Sequence, residues 1–381
     1  YTDPNDHAMI EEYFPRKLRN FFNDFRPRGK VDLELTITKA AGADGAIGLV
    51  GKIAPRGLSA EYRKFPYRAD DLHGQVLLVD GGFVINGLTG LASGGPFTMK
   101  GTISEPSKHA QVDLQISSPR VEVDERLYRA LSPRHRKIWD MFQPSGGVRM
   151  KVHLVRPAGP DQKWSRTIEA DFIDGSACYE AFKYPLTELA GVLAVETDVL
   201  KLQKVRGRHG PATVTLDGQV DGLNSPRPEV RLEVRARDVT VDRDLIAALP
   251  ESAGRIIDDC RLTGRGDLNG SIEAMPGQPL EYQFTCELKE GGVCYKDFPY
   301  PVKNLRGRLT IEPEQVRIDG VFAREGEQTV EAQGRLALGG QDQGIELTID
   351  ADNVPVDSDL YAAMDERLQT IWRDLRPEGR I

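Results

Sequence analysis

The chain has 381 residues, of which 50 are Lys or Arg and 58 are Asp or Glu, giving a net charge of −8 with 39% hydrophobic residues. The acidic balance excludes a duplex-DNA binder, whose affinity rests on neutralising phosphates with Lys and Arg. No run approaches the roughly 18 apolar residues of a membrane-spanning helix, and no signal-peptide pattern opens the sequence. Cys178, Cys260, Cys286 and Cys294 are too few for a disulfide scaffold at this length and have no C-x-x-C spacing. A Cys286–Cys294 disulfide is compatible with an oxidising compartment, and buried small side chains are the default reading.

In chain order, the first strand pattern sets Val31, Leu33, Leu35 and Ile37 against Asp32, Glu34, Thr36 and Thr38. Period two with one polar side means a half-solvated sheet. An aromatic turn follows, Tyr62 to Phe65-Pro66-Tyr67, then Leu72-x-Gly74. Gly87 to Gly95 reads as turns or bulges within a β-pattern. Val121-x-Val123-Asp124 then leads into a helix-like segment up to Phe142, with Asp124 as N-cap and Pro133 splitting it. Pro144-x-Gly146 ends that segment. A second alternating strand runs through Val148, Met150, Val152 and Leu154. Strand-like runs continue over Ile168–Ile173, Val192–Val195, Val199–Val205 and Ala212–Val220, and the alternation returns at Leu232, Val234 and Ala236.

The same order then recurs with a period of about 117 residues. The aromatic turn repeats at Tyr179-x-x-Phe182-x-Tyr184 and Tyr295-x-x-Phe298-Pro299-Tyr300, and Leu-x-Gly at Leu189 and Leu305. Val-x-Val-Asp repeats at Val239–Asp242 and Val354–Asp357, and the Trp139 segment at Ile371-Trp372. The copies divide the chain into residues 1–123, 124–241, 242–356 and the truncated head of a fourth, 357–381. The expected fold is mainly β: antiparallel modules of five or six strands plus one short helix each, forming a continuous curled sheet or groove. No Pro/Ser-rich or Gly/Ser-rich spacer separates the copies, which favours the continuous sheet over a rod of closed β-sandwiches. Strands of about 8–10 residues would give walls of roughly 25–35 Å, and three copies would extend about 70–85 Å. An odd strand number would put successive helices on opposite rims and an even number on the same rim; the pattern leaves this open. Unpaired edges predict self-association.

Phe65 to Val79, Phe298 to Ile311, Gly101-Thr-Ile103 and Gly334-Arg-Leu336 resemble the AsmA-like and TamB-like proteins of Gram-negative bacteria, and more broadly the repeating β-groove (bridge-like) lipid-transfer proteins. The resemblance implies a long β-groove with an apolar interior in the periplasm. It implies an inner-membrane anchor outside this chain, phospholipid as cargo moving toward the outer membrane, and inner- or outer-membrane protein partners.

No catalytic motif stands out. His7, His73, His109, His135, His153 and His209 lack metal-ligand spacing, and no G-x-S-x-G, H-E-x-x-H or phosphate-binding loop is present. The conspicuous residues recur in every copy, as scaffold residues do. Asp124, Asp242 and Asp357 read as helix caps ahead of a metal ladder, and the Phe-Pro-Tyr turn as core packing ahead of a ligand contact. The basic run Lys201 to His209 reads as a solvated strand, with an anionic headgroup contact as the lesser alternative. A polysaccharide enzyme would need a pair of carboxylates in a cleft. The expectation is a non-enzymatic lipid conduit with no cofactor, no metal and no nucleic-acid partner. Acyl chains would lie on Leu33, Leu35, Ile37, Met150, Val152, Leu232, Val234, Leu347 and Ile349. The alternative is a structural or adhesive rod of closed sandwiches without lipid.

Overall fold

The computed structural model describes residues 23–39, 47–79, 82–104, 109–338 and 344–381. His7 and the Phe21-Phe22 pair of the first copy lie outside the described residues. The protein is mainly β, and its nineteen strands belong to one antiparallel sheet. Contacts divide the chain into two compact units, residues 1–177 with 188–203, and residues 178–187 with 204–381. This division falls inside the second sequence copy rather than at a copy boundary.

In the first unit, β1 (Arg28–Lys39), β2 (Ile47–Tyr62), β3 (Phe65–Val79), β4 (Gly82–Ala92), β5 (Gly95–Ile103) and β6 (Val112–Glu122) pair in sequence order. Helices α1 (Glu125–Ala130) and α2 (Pro133–Phe142) follow, and then β7 (Gly147–Arg156) pairs with β6 and with β8 (Ser165–Phe172). The chain continues through β9 (Gly175–Tyr179), β10 (Phe182–Glu196), whose later half pairs with β8, and β11 (Val199–His209).

In the second unit, β12 (Ala212–Asp221) pairs with β13 (Glu229–Thr240) ahead of α3 (Arg243–Ala248) and α4 (Glu251–Asp259). Six strands then pair in order: β14 (Thr263–Ala274), β15 (Leu280–Tyr295), β16 (Phe298–Ile311), β17 (Gln315–Glu325), β18 (Gln328–Ala337) and β19 (Ile345–Asp352). Helices α5 (Ser358–Ala363) and α6 (Glu366–Leu375) close the described chain. Many strands exceed the expected 8–10 residues: β2 and β15 have 16 each.

The single helix expected per copy is in fact two. Leu131 and Leu249 leave the helical region, and the chain restarts at Pro133 and after Pro250. Proline suits a first helical turn, where its missing N–H costs nothing. The expected caps hold: Asp124 accepts from the amides of Arg126 and Leu127, Asp242 from Leu245, and Asp357 from Asp359 and Leu360, at 2.8–3.0 Å. The helix stop differs from expectation. Gln143 and Arg376, just before the prolines, take the left-handed conformation and end α2 and α6. Trp139 and Trp372 of the second helices meet Tyr128 and Tyr361 of the first, with ring centroids 5.7 and 5.8 Å apart. The parity left open by the sequence is also decided: six antiparallel strands separate α4 from α5, so both helix pairs of the second unit lie at one rim.

The repeated Leu-x-Gly is a bulge. The residue before each Leu has positive φ (Asp71 52°, Glu188 51°, Asn304 56°). Each bulge turns its leucine inward, leaving Leu72, Leu189 and Leu305 only 5%, 5% and 7% exposed. Gly101 has a different reason to recur. Its φ is 143°, and a Cβ there would overlap the Asp113 carbonyl oxygen on the neighbouring strand. Gly101→Ala should therefore lower stability by about 2–3 kcal/mol. Gly254→Ala, in the α4 interior with no close neighbour, should raise it by about 0.5–1 kcal/mol. Thermal unfolding of the two variants beside the parent checks both signs.

Candidate functional site

Residues directly opposite in an antiparallel ladder share a face, so the registers sort every side chain. In the first unit one file crosses seven strands: Leu33, Ile53, Val76, Ile85, Gly101, Leu114 and Leu154. A second file on the same face runs Met99, Ile116, Val152, Ile168 and Val195. In the second unit a file crosses eight strands: Leu216, Val234, Gly270, Phe284, Ile311, Val316, Leu336 and Ile345. Beside it run Leu268, Cys286, Leu309, Ile318, Gly334 and Leu347.

Among the described residues these apolar faces carry no covering layer comparable to a sandwich core. None of the side chains in the two longest files is buried. On β1 and β19 exposure reaches 57% at Leu33, 67% at Ile37 and 60% at Ile349. The chain as a whole exposes 24289 Å², where a compact protein of 42.3 kDa would expose about 15,000 Å². Although Ala110, Val112 and Thr310 are buried toward the far end of the strands, much of the burial lies at the helix end. There Ala212, Ala236 and Val239 pack with Leu245 of α3 in one cluster, and Leu305, Val321 and Ala323 form another. Helix α5 packs on β16, burying Leu360 and Ala363, and α1 packs on β3.

The opposite faces are solvated and charged. Direct cross-strand partners there form ion pairs: Lys151–Glu169 at 3.1 Å, Arg149–Asp171 at 3.5 Å, Arg308–Glu287 at 3.4 Å and Arg335–Glu346 at 2.8 Å. All are exposed, so each contributes at most about 0.2–1 kcal/mol. Arg120 reaches both Glu122 and Asp174, and with the Gly147 amide it holds the Asp174 carboxyl below its usual range.

Every lipid-facing residue expected from the sequence falls on these apolar faces. Leu33, Leu35 and Ile37 lie on β1, and Met150 and Val152 on β7, all on the same face of the first unit. Leu232 and Val234 on β13 and Leu347 and Ile349 on β19 share the face of the second unit. Several neighbours escaped the period-two reading, among them Ile53, Val76, Leu114, Phe284 and Ile311. Bulges beside them shift the alternation by one, as between Arg56 and Leu58 or between Arg308 and Leu309.

The remaining candidates take structural places. His73 and His153 pair with Asp71 and Asp113, each at 2.8 Å. Among the described residues no group of three or more His, Cys, Asp or Glu is arranged to hold a metal. No helix among them is long and apolar enough to cross a membrane. The four cysteines are free. Cys286 and Cys294 both lie on β15, roughly 26 Å apart at strand rise. That excludes the Cys286–Cys294 disulfide, which needs Cα atoms within about 7 Å. Burial pushes the Cys286 thiol up to about 11. Lys201 of the basic run is paired with Glu196 at 3.0 Å.

The aromatic turn divides its roles. Phe65, Phe182 and Phe298 are exposed, while Tyr184 is buried. In the second unit the Tyr184 ring stacks on His209 at 3.9 Å, and His209 Nδ1–H donates to the Pro185 carbonyl at 2.8 Å. His209 Nε2 stands 3.4 Å from Asp244. Burial, with Asp242 and Asp244 nearby, pushes the Tyr184 hydroxyl from its usual 10.0 up to about 12. No family model, curated protein or solved structure matches the chain.

Tyr184 Oη is buried without a hydrogen-bond partner, whereas Tyr300 Oη accepts from Gln328 Nε2 at 3.1 Å. Tyr184→Phe should leave stability unchanged or raise it, and Tyr300→Phe should cost about 1 kcal/mol. Because Tyr184 ionises near 10.0 in the unfolded chain but only at about 12 in the fold, the parent keeps its full stability below pH 10 and loses some of it as the pH rises through about 12, a loss that Tyr184→Phe should lack. Ultraviolet titration should therefore show one fewer late-titrating tyrosine in Tyr184→Phe than in the parent.

Proposed function

We propose that the chain is a segment of a lipid-transfer conduit in which phospholipid acyl chains lie against the apolar sheet faces. The observation that carries this reading is the pair of apolar files, unbroken by charge across seven strands in one unit and eight in the other, with none of their side chains buried among the described residues. Each methylene removed from water contributes about 0.8 kcal/mol, so ten contribute roughly 8 kcal/mol before the entropic cost of binding. Many near-equivalent side chains give a shallow energy profile, which suits sliding better than tight capture. The reading assigns the chain no chemical step.

The resemblance to AsmA-like and TamB-like proteins supports a periplasmic setting between inner and outer membranes. An anchor elsewhere in the protein and membrane-protein partners belong to the same proposal. A rod of closed sandwiches, by contrast, would need its apolar faces fully buried against each other.

The test is native mass spectrometry of protein purified without detergent, followed by lipid extraction. Co-purifying phospholipid is expected. Leu35→Asp and Leu347→Asp, at exposed positions that tolerate charge in the folded state, should each cut the bound lipid several-fold. Folded protein that is free of lipid, or lipid unaffected by either substitution, would overturn the proposal.

A further inference from the structure

The two ends of the apolar face in the first unit differ chemically. At one end, α1 and α2 join β6 to β7, and α1 packs on β3. At the other end, two files that occupy equivalent places in successive copies each finish in a cation. Along β1 the face reads Val31, Leu33, Leu35, Ile37 and then Lys39. Along β7 it reads Val148, Met150, Val152, Leu154 and then Arg156. The register confirms the inward side for Arg156: it stands opposite Val112, which continues through Ile103, Phe83 and Leu78. The other cations of β7, Arg149 and Lys151, sit on the outward face. The third copy has Ala274 at the same place, so the feature belongs to the first unit.

Arg156 is held in position. Its Nε and Nη2 donate to the Ala110 carbonyl at 2.9 and 2.6 Å, and its guanidinium carbon lies 5.3 Å from the centroid of the exposed Trp164 ring. A guanidinium has five donors in a planar fork that suits phosphate. An indole, apolar with one N–H, suits the boundary between hydrocarbon and headgroup. The apolar run from Val31 to Ile37 spans about 20 Å at strand rise. One acyl chain covers about 15 Å, half the hydrocarbon thickness of a bilayer.

We infer that the first unit binds phosphate-bearing lipids, one headgroup at Lys39 and another at Arg156, each with its acyl chains directed toward the helix end. The inference rests on the lipid reading of the apolar face, and adds to it a headgroup chemistry and a direction. A free phosphate would gain nothing from the four apolar residues leading to each cation, so the ligand is an amphiphile.

The intact chain is titrated with phosphatidic acid and with the diacylglycerol carrying the same acyl chains. Lys39→Gln and Arg156→Gln should each remove one of the two phosphatidic acid positions, and the double variant should weaken phosphatidic acid binding about tenfold while leaving diacylglycerol binding unchanged. Lys39 is exposed on β1, so Lys39→Gln keeps the test valid should Arg156→Gln perturb the fold. A second readout uses Trp164 alone, in a Trp139→Phe, Trp372→Phe background. A nitroxide on the headgroup should quench it more strongly than one at the acyl terminus. A parent chain that binds neither lipid overturns this inference and the lipid reading together. Binding of both lipids with no loss in the cation variants, or stronger quenching by the acyl-terminal label, overturns the headgroup assignment and leaves the lipid reading standing.

Discussion

An amphipathic sheet without a partner layer is the constraint on which everything else depends. Alternation along each strand produces one apolar and one charged face, and a globular domain would bury the first against a second sheet or a row of helices. The second and third copies each supply two short helices for six or seven strands. They cover the Leu-x-Gly end and leave the files beyond it half-exposed. The stability of the sheet therefore comes mainly from its ladders, its bulged leucines and the small cores under α3 and α5. The central files contribute less than core residues would, which leaves them available to a ligand.

The same economy explains the repeated motifs. Each copy must return the chain to one rim, close that rim and start a new ladder. An aspartate caps each first helix, Pro133 and Pro250 open two of the second helices where the chain bends, and Trp139 and Trp372 tie two of them to Tyr128 and Tyr361 of the first. Leu-x-Gly then drives a leucine into the buried zone at the helix end. The side chains that recur most strictly serve this rim, and the side chains proposed to meet lipid vary freely among Leu, Ile, Val, Met and Phe. Hydrocarbon has no directional demand, so apolar character and register are all the face requires.

Much of this was legible in the sequence. The order of motifs exposes the copies, Val-x-Val-Asp marks the helix caps, and the alternation at Val31–Ile37, Val148–Leu154 and Leu232–Val234 identifies the correct face. Three features were not legible. Pro133 hints at a broken helix, but Leu249-Pro250 and Met364-Asp365 mark the same break without a shared signature. The bulges at Asp71, Glu188 and Asn304 carry ordinary polar residues in a left-handed conformation, so nothing in residue type announces the shift in alternation that hides Val76 or Ile311. The cysteines illustrate a third limit: spacing in sequence says nothing about reach until Cys286 and Cys294 are seen to lie on one extended strand.

The central claim is that acyl chains occupy the apolar face and not the charged one. Photocrosslinking the intact protein with a phospholipid bearing a diazirine in its acyl chain, followed by peptide mapping, tests it most directly. The account predicts adducts at apolar-file residues such as Ile53, Val76, Val152, Val234 and Phe284. Adducts concentrated on the charged face, around Lys52, Lys151 or Arg235, or the absence of any adduct above a detergent-competed background, would contradict it.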